Sequence, residues 1–213
     1  KGMKVGGTRK AVVPAWLMGY DRYTNPDKYL QKSTDESNAI YTITLEGVST
    51  DILKSQVDSM QIYSALHMNK TDSTSYGFYY QQLKEPADTH SFKADTSIYI
   101  NYTGRLLNGQ VFDTTIADTA KVHNIYSSSN TYSPVKIIWG ESYTDLTMTA
   151  SGSSSSSSII SGFQKTLWEM RHPYEKSVGM FFSSYGYGSS GSGNTIPSFS
   201  PLVFEIEIVD KPE

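Results

Sequence analysis

Few residue groupings in this sequence have types and spacing that could do chemistry. Gly186-Tyr187-Gly188-Ser189-Ser190-Gly191 spells the G-x-G-x-x-G string, which cradles a pyrophosphate when a strand precedes it and a helix opens within it. Here the run continues through Ser192, Gly193 and Asn194 to Ile196-Pro197, which cannot open a helix, so it predicts a glycine-rich loop. His67, His90, His123 and His172 lack metal-ligand spacing. There is no G-x-S-x-G nucleophile elbow. Glu205 and Glu207 alternate along an extended run, which predicts a solvated strand face and not an acid–base pair. Asn69-Lys70-Thr71 and Asn101-Tyr102-Thr103 match the glycosylation triplet, a short pattern that arises by chance. One longer string stands out: Asn101-Tyr102-Thr103-Gly104-Arg105-Leu106-Leu107-Asn108-Gly109-Gln110-Val111-Phe112-Asp113-Thr114. Asn108-Gly109 is a tight-turn dipeptide joining two strands, and the second strand ends on an aromatic beside a carboxylate.

The composition bounds what these residues can belong to. The 213 residues leave room for one or two domains. Eighteen Lys and Arg against 21 Asp and Glu give a net charge of −3, which excludes a strongly basic nucleic-acid binder. Sixteen Tyr, 8 Phe and 3 Trp predict a folded chain, and with the many Thr and Ser they lean towards β structure. The absence of cysteine excludes disulfides, thiol catalysis, zinc fingers and iron–sulfur clusters. No apolar run reaches the roughly 18 residues of a membrane-spanning helix. The sequence opens on Lys1 without an initiator Met or signal peptide, so the true N-terminus is expected upstream. An export signal or lipid anchor there is the expected route to any membrane.

The elements that would position the string follow from periodicity. Ser97 to Gly104, Gly77 to Leu83 and Val135 to Trp139 predict strands. Leu202, Phe204, Ile206 and Ile208 share one face of a final strand. Phe163 to Met170 predicts the only helix of this part, and the serines of Ser153 to Ser158 predict a flexible surface loop. Ile52, Leu53, Val57, Met60 and Tyr63 recur at helical spacing, with Ser49 or Thr50 as cap, which predicts a connecting helix. There is also a partial repeat. Residues 2–14 followed by 38–46 echo residues 175–182 followed by 201–208, each pair reading strand, long loop, strand. In the earlier copy Tyr41, Ile43 and Leu45 are expected inward, and Thr42 and Thr44 outward.

The string at residues 101–114 resembles the hallmark of the FKBP-type peptidyl-prolyl isomerases, approximately Y-T-G-x-L-x-(D/N)-G-x-x-F-D. The resemblance continues in family order. Val135 to Gly140 is similar to the strand before the active-site loop, and Ile159-Ile160-Ser161-Gly162-Phe163 to the V-I-x-G-W motif. Tyr185-Gly186-Tyr187-Gly188 is similar to Y-A-Y-G, and Ile196-Pro197 with Leu202-Val203-Phe204-Glu205 to the closing motifs. The resemblance implies an α+β fold, a twisted antiparallel β-sheet wrapped around a short helix and preceded by a partial second copy. It implies residues 1–48 as the C-terminal part of a first FKBP-like domain, 49–70 as connecting helix, and 71–213 as a complete domain.

Carried over by motif, the catalytic residues are Tyr102, Phe112, Asp113 and Tyr187, and the substrate-binding residues are Val135, Ile159, Ile160, Phe163, Ile196 and Phe204. The implied activity is cis–trans rotation of Xaa-Pro bonds in a dry aromatic pocket, without metal or cofactor. The implied partners are proline-containing polypeptide clients and macrolide immunosuppressant-type ligands, with no nucleic acid. A tandem chain of this kind is expected outside the cytoplasm, in a bacterial cell envelope, as a periplasmic or surface lipoprotein active in protein folding. The sequence also departs from the family. Phe163 replaces the usual Trp, Val135 a common aromatic, and Ser198 the second proline of I-P-P; Ile116 to Pro134 is a longer insertion without the Arg that often pairs with the Asp. In the first copy Leu17-Met18-Gly19-Tyr20 and an insertion from Asp21 to Ser37 break the pattern. These departures support an alternative, a non-catalytic FKBP-fold chaperone or binding module.

Overall fold

The structure, a computed structural model, describes residues 2–14, 38–45, 47–69, 72–86, 90–149 and 155–212. The chain divides into two compact units, Lys1–Thr50 and Asp51–Glu213.

In the first unit, β1 (Thr8–Val13) and β2 (Ala39–Thr44) form an antiparallel pair with Thr8 opposite Thr44 and Val13 opposite Ala39. The strands fall where the repeat predicted them, but the inward face does not. Tyr41 and Ile43 are exposed, as is Ile40 on the other face. A two-stranded ribbon supplies no second layer to cover either face. Tyr20 and the insertion from Asp21 to Ser37 lie outside the described residues.

The second unit opens with α1 (Ile52–His67). Its cap is Asp51, one residue beyond the expected Ser49 or Thr50; the Asp51 carboxylate accepts the Lys54 N–H at 2.9 Å. Then come β3 (Asp72–Ser75), β4 (Phe78–Lys84), β5 (Ser97–Leu106), β6 (Val111–Thr114), α2 (Ala117–Val122) and β7 (Val135–Ile138). These are followed by β8 (Thr147–Thr149), β9 (Ser156–Ser158), α3 (Ser161–Glu169), β10 (Lys176–Phe181) and β11 (Leu202–Val209). The strands make one antiparallel sheet in the order β3-β4-β10-β11-β5-β7-β8-β9, with β6 attached to β5.

Two local expectations are overturned. Ser156–Ser158 is not loop but strand, pairing Ser157 with Met148. It is the outermost strand, exposed throughout, where the backbone ladder holds without apolar side chains. The helix at 161–169 is not the only one in its part, because the insertion after β6 folds its first residues into α2. Alanine at 117 and 120 supports that short helix, and Ala120 is buried.

Period-two alternation on β10 and β11 splits the apolar residues between two cores. Phe181, Leu202, Phe204 and Ile206 face α3, joining Phe163 and Leu167. Met180, Phe182 and Val203 turn the other way and meet Val57 and Met60 of α1. The residues read as a connecting helix therefore pack one face against the second unit's sheet. Covering a side chain such as Met60, which is fully buried, stabilises the unit by about 1.5–3 kcal/mol. The Gln56 Oε1 adds a buried bond from the Ser183 N–H at 2.7 Å. On the other side α3 sits so close to β10 that a Cβ at Gly179 would overlap the Thr166 side chain. Glu205 and Glu207 do point outward, and Glu205 is paired with Lys176 at 2.7 Å and Arg105 at 3.3 Å.

Candidate active site

The β5–β6 hairpin delivers the 101–114 string to one end of the sheet. Gly104 pairs with Asp113 and Thr103 with Thr114. Gly104 also pairs with Phe204 on β11, so three strands converge at one glycine. A Cβ there would stand 2.6 Å from the Phe112 ring and 2.8 Å from the Phe204 ring. Only glycine lets both rings lie over the backbone.

Four more aromatic contacts surround Phe204. Its ring is edge-on to Phe112 at 5.5 Å and to Phe163 at 5.0 Å, tilted to Tyr102 at 6.1 Å, and stacked on Phe181 at 5.8 Å. Tyr102 and Phe163 meet edge-to-face at 5.4 Å. Such pairs each add about 0.5–1.5 kcal/mol beyond burial and fix ring orientations. The rings wall a cavity of about 220 Å³. Ile159 and Ile160, which lead into α3, close one side, and Tyr187 of the glycine-rich loop stands at the rim.

Of the ten residues expected from the sequence, eight meet at this cavity: Tyr102, Phe112, Asp113, Ile159, Ile160, Phe163, Tyr187 and Phe204. Val135 and Ile196 are buried in the core beside it and do not line it. Two lining residues had not been expected, Met148 on β8 and Ser158 on β9. Thr147-Met148-Thr149 carries the period-two signal of a short strand, one apolar residue between two threonines. Ser158 sits at the end of the serine run and carries no such signal.

Among the described residues, the one carboxylate on the cavity wall is tied to a neighbour. The Tyr102 hydroxyl donates to Asp113 Oδ2 at 2.7 Å. Burial, reinforced by the Asp113 charge, pushes the Tyr102 hydroxyl well above its ordinary pKa, so it stays a donor. Burial and the same charge raise Tyr187 as well. Behind Tyr102, two threonines hold its backbone. The Tyr102 N–H donates to Thr115 Oγ1 at 2.9 Å, and Thr114 Oγ1 donates to the Tyr102 carbonyl at 3.0 Å. Thr115 in turn donates to Asn101 Oδ1 at 2.9 Å. No arginine follows Asp113 before β7, and the hydroxyl of Tyr102 does the orienting.

The glycine-rich string opens no helix. Ser183–Tyr185 forms a single 3-10 turn, Gly188 and Gly191 take positive φ, and Ser192 bridges to Ile196.

Residues 141–209 match the sequence model of the FKBP-type peptidyl-prolyl cis-trans isomerases. The matched stretch lies within the second unit and runs from the residues before β8 to the end of β11. No curated protein sequence matches the chain. Among solved structures, a peptidyl-prolyl cis-trans isomerase from Pseudomonas syringae pv. tomato is 21% identical, with 77% of this chain and 98% of that chain covered and a TM-score of 0.45. FkpA from Escherichia coli is 20% identical over 75% of this chain and 62% of its own, with a TM-score of 0.47. The N-terminal domain of FKBP42 from Arabidopsis thaliana is 12% identical over 68% and 94%, with a TM-score of 0.44.

Proposed function

We propose that residues 71–213 act as a complete FKBP-like domain that accelerates Xaa-Pro rotation in polypeptide clients at the aromatic cavity. The observation that carries this reading is a mainly apolar cavity in whose wall the Asp113 carboxylate is held by Tyr102 at 2.7 Å.

The chemistry needs little more. Resonance opposes rotation of a peptide bond by about 18–20 kcal/mol. The two isomers of Xaa-Pro differ by only about 1 kcal/mol, so the problem is one of rate. At the transition state the amide is twisted, has lost resonance and is less dipolar. A dry aromatic site disfavours the solvated planar amide relative to the twisted one, which is differential binding. In this reading Phe112, Ile160, Phe163 and Phe204 hold the proline ring. The Ile160 N–H and the Tyr187 hydroxyl fix the substrate carbonyls, and Asp113 stands beside the carbonyl that turns. Tyr102 shapes the wall and orients Asp113. Val135 and Ile196 support the pocket from the core.

In the same reading, residues 1–48 are the C-terminal part of a first such domain, joined through residues 49–70. Macrolide immunosuppressant-type ligands would occupy the same cavity. The setting we propose is a bacterial envelope, where the chain assists protein folding; fractionation of cells carrying the full gene tests it.

NMR exchange spectroscopy of an Ala-Leu-Pro-Phe peptide, with wild type, Asp113→Ala and Tyr187→Phe, tests the activity. Faster exchange with wild type that falls in the Asp113 variant supports catalysis. Binding without faster exchange favours the second reading, a non-catalytic binding module, to which the phenylalanine floor at 163 and the insertion after Asp113 also point.

A further inference from the structure

The insertion between β6 and β7 forms a wall of its own. Tyr126 and Tyr132 stack at 5.1 Å with their rings 14° from parallel, and the Lys121 ammonium lies 5.5 Å over the Tyr126 ring. The Tyr132 hydroxyl accepts the Ser127 N–H at 3.0 Å, and the Asn130 N–H closes a turn on the Ser127 carbonyl at 3.1 Å. Between this wall and the sheet lies a second cavity, of about 320 Å³. Tyr102 and Asp113 line it as well as the aromatic cavity, so the hydrogen-bonded pair is the partition between the two.

The two chambers differ in chemistry. The first is walled mainly by rings and aliphatic side chains. The second is walled mainly by Thr114, Thr115, Ser129, Asn130, Thr131 and Tyr132, which bear hydroxyl or amide groups, together with the aliphatic Val135. Among the described residues, Asp113 is the only charged one in its lining. The Thr114 and Thr115 hydroxyls are spent on Tyr102, whereas the Asn130 and Thr131 side chains make no hydrogen bond to the described residues. The two cavities adjoin at Tyr102 and Asp113, and a residue next to a proline seated in the first is displaced from it by only about 3.3 Å of extended chain.

We propose that this second cavity is a side-chain subsite, built by the insertion, that selects a neutral hydrogen-bonding residue (Ser, Thr, Asn or Gln) beside the substrate proline. An apolar side chain there gains no hydrogen bond from Asn130 or Thr131, whose exposed groups stay with water. An acidic one faces Asp113 with no cation in the lining to offset the repulsion. The inference rests on the aromatic cavity being the proline site.

The test is a peptide set with Gln, Leu or Glu at the position before proline, and a second set varying the position after it. Exchange rates are read by NMR and affinities by chemical-shift titration, with wild type, Asn130→Ala and Thr131→Ala. Both positions are exposed, so the variants keep the fold. We expect Gln to be favoured over Leu at one of the two positions by about two- to tenfold in KM or Kd, the scale of one hydrogen bond, and Glu to be the weakest. Asn130→Ala should flatten that ranking, by weakening the Gln peptide towards the Leu peptide. A flat ranking at both positions with wild type, or a ranking that Asn130→Ala and Thr131→Ala leave intact, overturns the subsite while the isomerase reading stands. Absence of both exchange acceleration and binding for every peptide overturns the isomerase reading, and the subsite with it.

Discussion

The Tyr102 hydroxyl and the Asp113 carboxylate, eleven residues apart, meet at 2.7 Å across the β5–β6 hairpin. The contact depends on register. Thr103 opposes Thr114 and Gly104 opposes Asp113, so a slip of one residue would send Asp113 to the opposite face. The threonine pair behind it, Thr103 and Thr114 sharing a buried 2.9 Å bond, locks that register.

Removing the hydroxyl separates orientation from shape. Tyr102→Phe keeps the ring contacts to Phe163 and Phe204 but frees Asp113. A hydrogen bond to a charged group is worth about 1.5–3 kcal/mol when buried, and Asp113 is exposed, so the loss should sit near 1 kcal/mol. We expect kcat/KM for a proline peptide to fall by about three- to tenfold, with KM little changed. Steady-state kinetics checks it; an unchanged kcat would mean Asp113 needs no orientation.

The same tyrosine makes stability sensitive to alkali. Burial and neighbouring carboxylates raise the hydroxyl pKa of Tyr102, and likewise of Tyr80, which donates to Glu175 at 2.6 Å. In the unfolded chain both ionise near pH 10. Above that pH the folded state holds more protons than the unfolded one, so stability falls as pH rises. It is fully present below pH 10 and lost above, at up to about 1.4 kcal/mol per pH unit for each such group. Urea unfolding of wild type and Tyr102→Phe at pH 8 and pH 11 reads the difference. The variant should lose less stability between the two; equal losses would show that Tyr102 ionises normally in the fold.

Much of the candidate site was legible in the sequence because its residues lie in short motifs. Tyr102, Phe112 and Asp113 share one hairpin marked by Asn108-Gly109, and Ile159, Ile160 and Phe163 lead into one helix. What it concealed depends on layers, not strings. The spacing of Val57 and Met60 marks a helix, but nothing local says that its apolar face covers Met180 and Val203, more than a hundred residues away. Ser156–Ser158 is strand only because Thr147–Thr149 offers it a free edge. Tyr41 and Ile43 alternate as a core strand should, yet burial needs a second layer that a two-stranded ribbon does not provide. The insertion reads only as lacking an Arg, whereas the partner that holds Asp113 is upstream of it, at Tyr102.

Gly104 offers a direct probe of ring placement. A methyl group there meets Phe112 and Phe204 at distances real contacts do not reach, and both rings belong to the cavity wall. Gly104→Ala should displace them and cost about 1–3 kcal/mol, the usual penalty for overpacking. Peptide affinity should drop at least as sharply as stability, because the cavity itself is distorted. Chemical-shift titration with a proline peptide, beside a urea melt, checks both; full affinity in a destabilised variant would place the proline elsewhere.

The opposite face of the sheet provides the control. Met60 of α1 is fully buried against Met180, Phe182 and Val203 and contributes nothing to the cavity lining. Met60→Ala removes a large side chain from a packed layer, which costs about 2–5 kcal/mol depending on how far the layer collapses. Because Gly179, Met180 and Phe181 are consecutive on β10, the change lies one residue from the seat of α3, yet on the far side of the backbone. We expect unfolding of the second unit at lower urea, with kcat/KM per folded molecule within about twofold of wild type. A helix that served only as a connector would leave the urea midpoint where it was. A lost midpoint together with lost turnover at low urea would mean that the α1 layer also sets the geometry of the aromatic site.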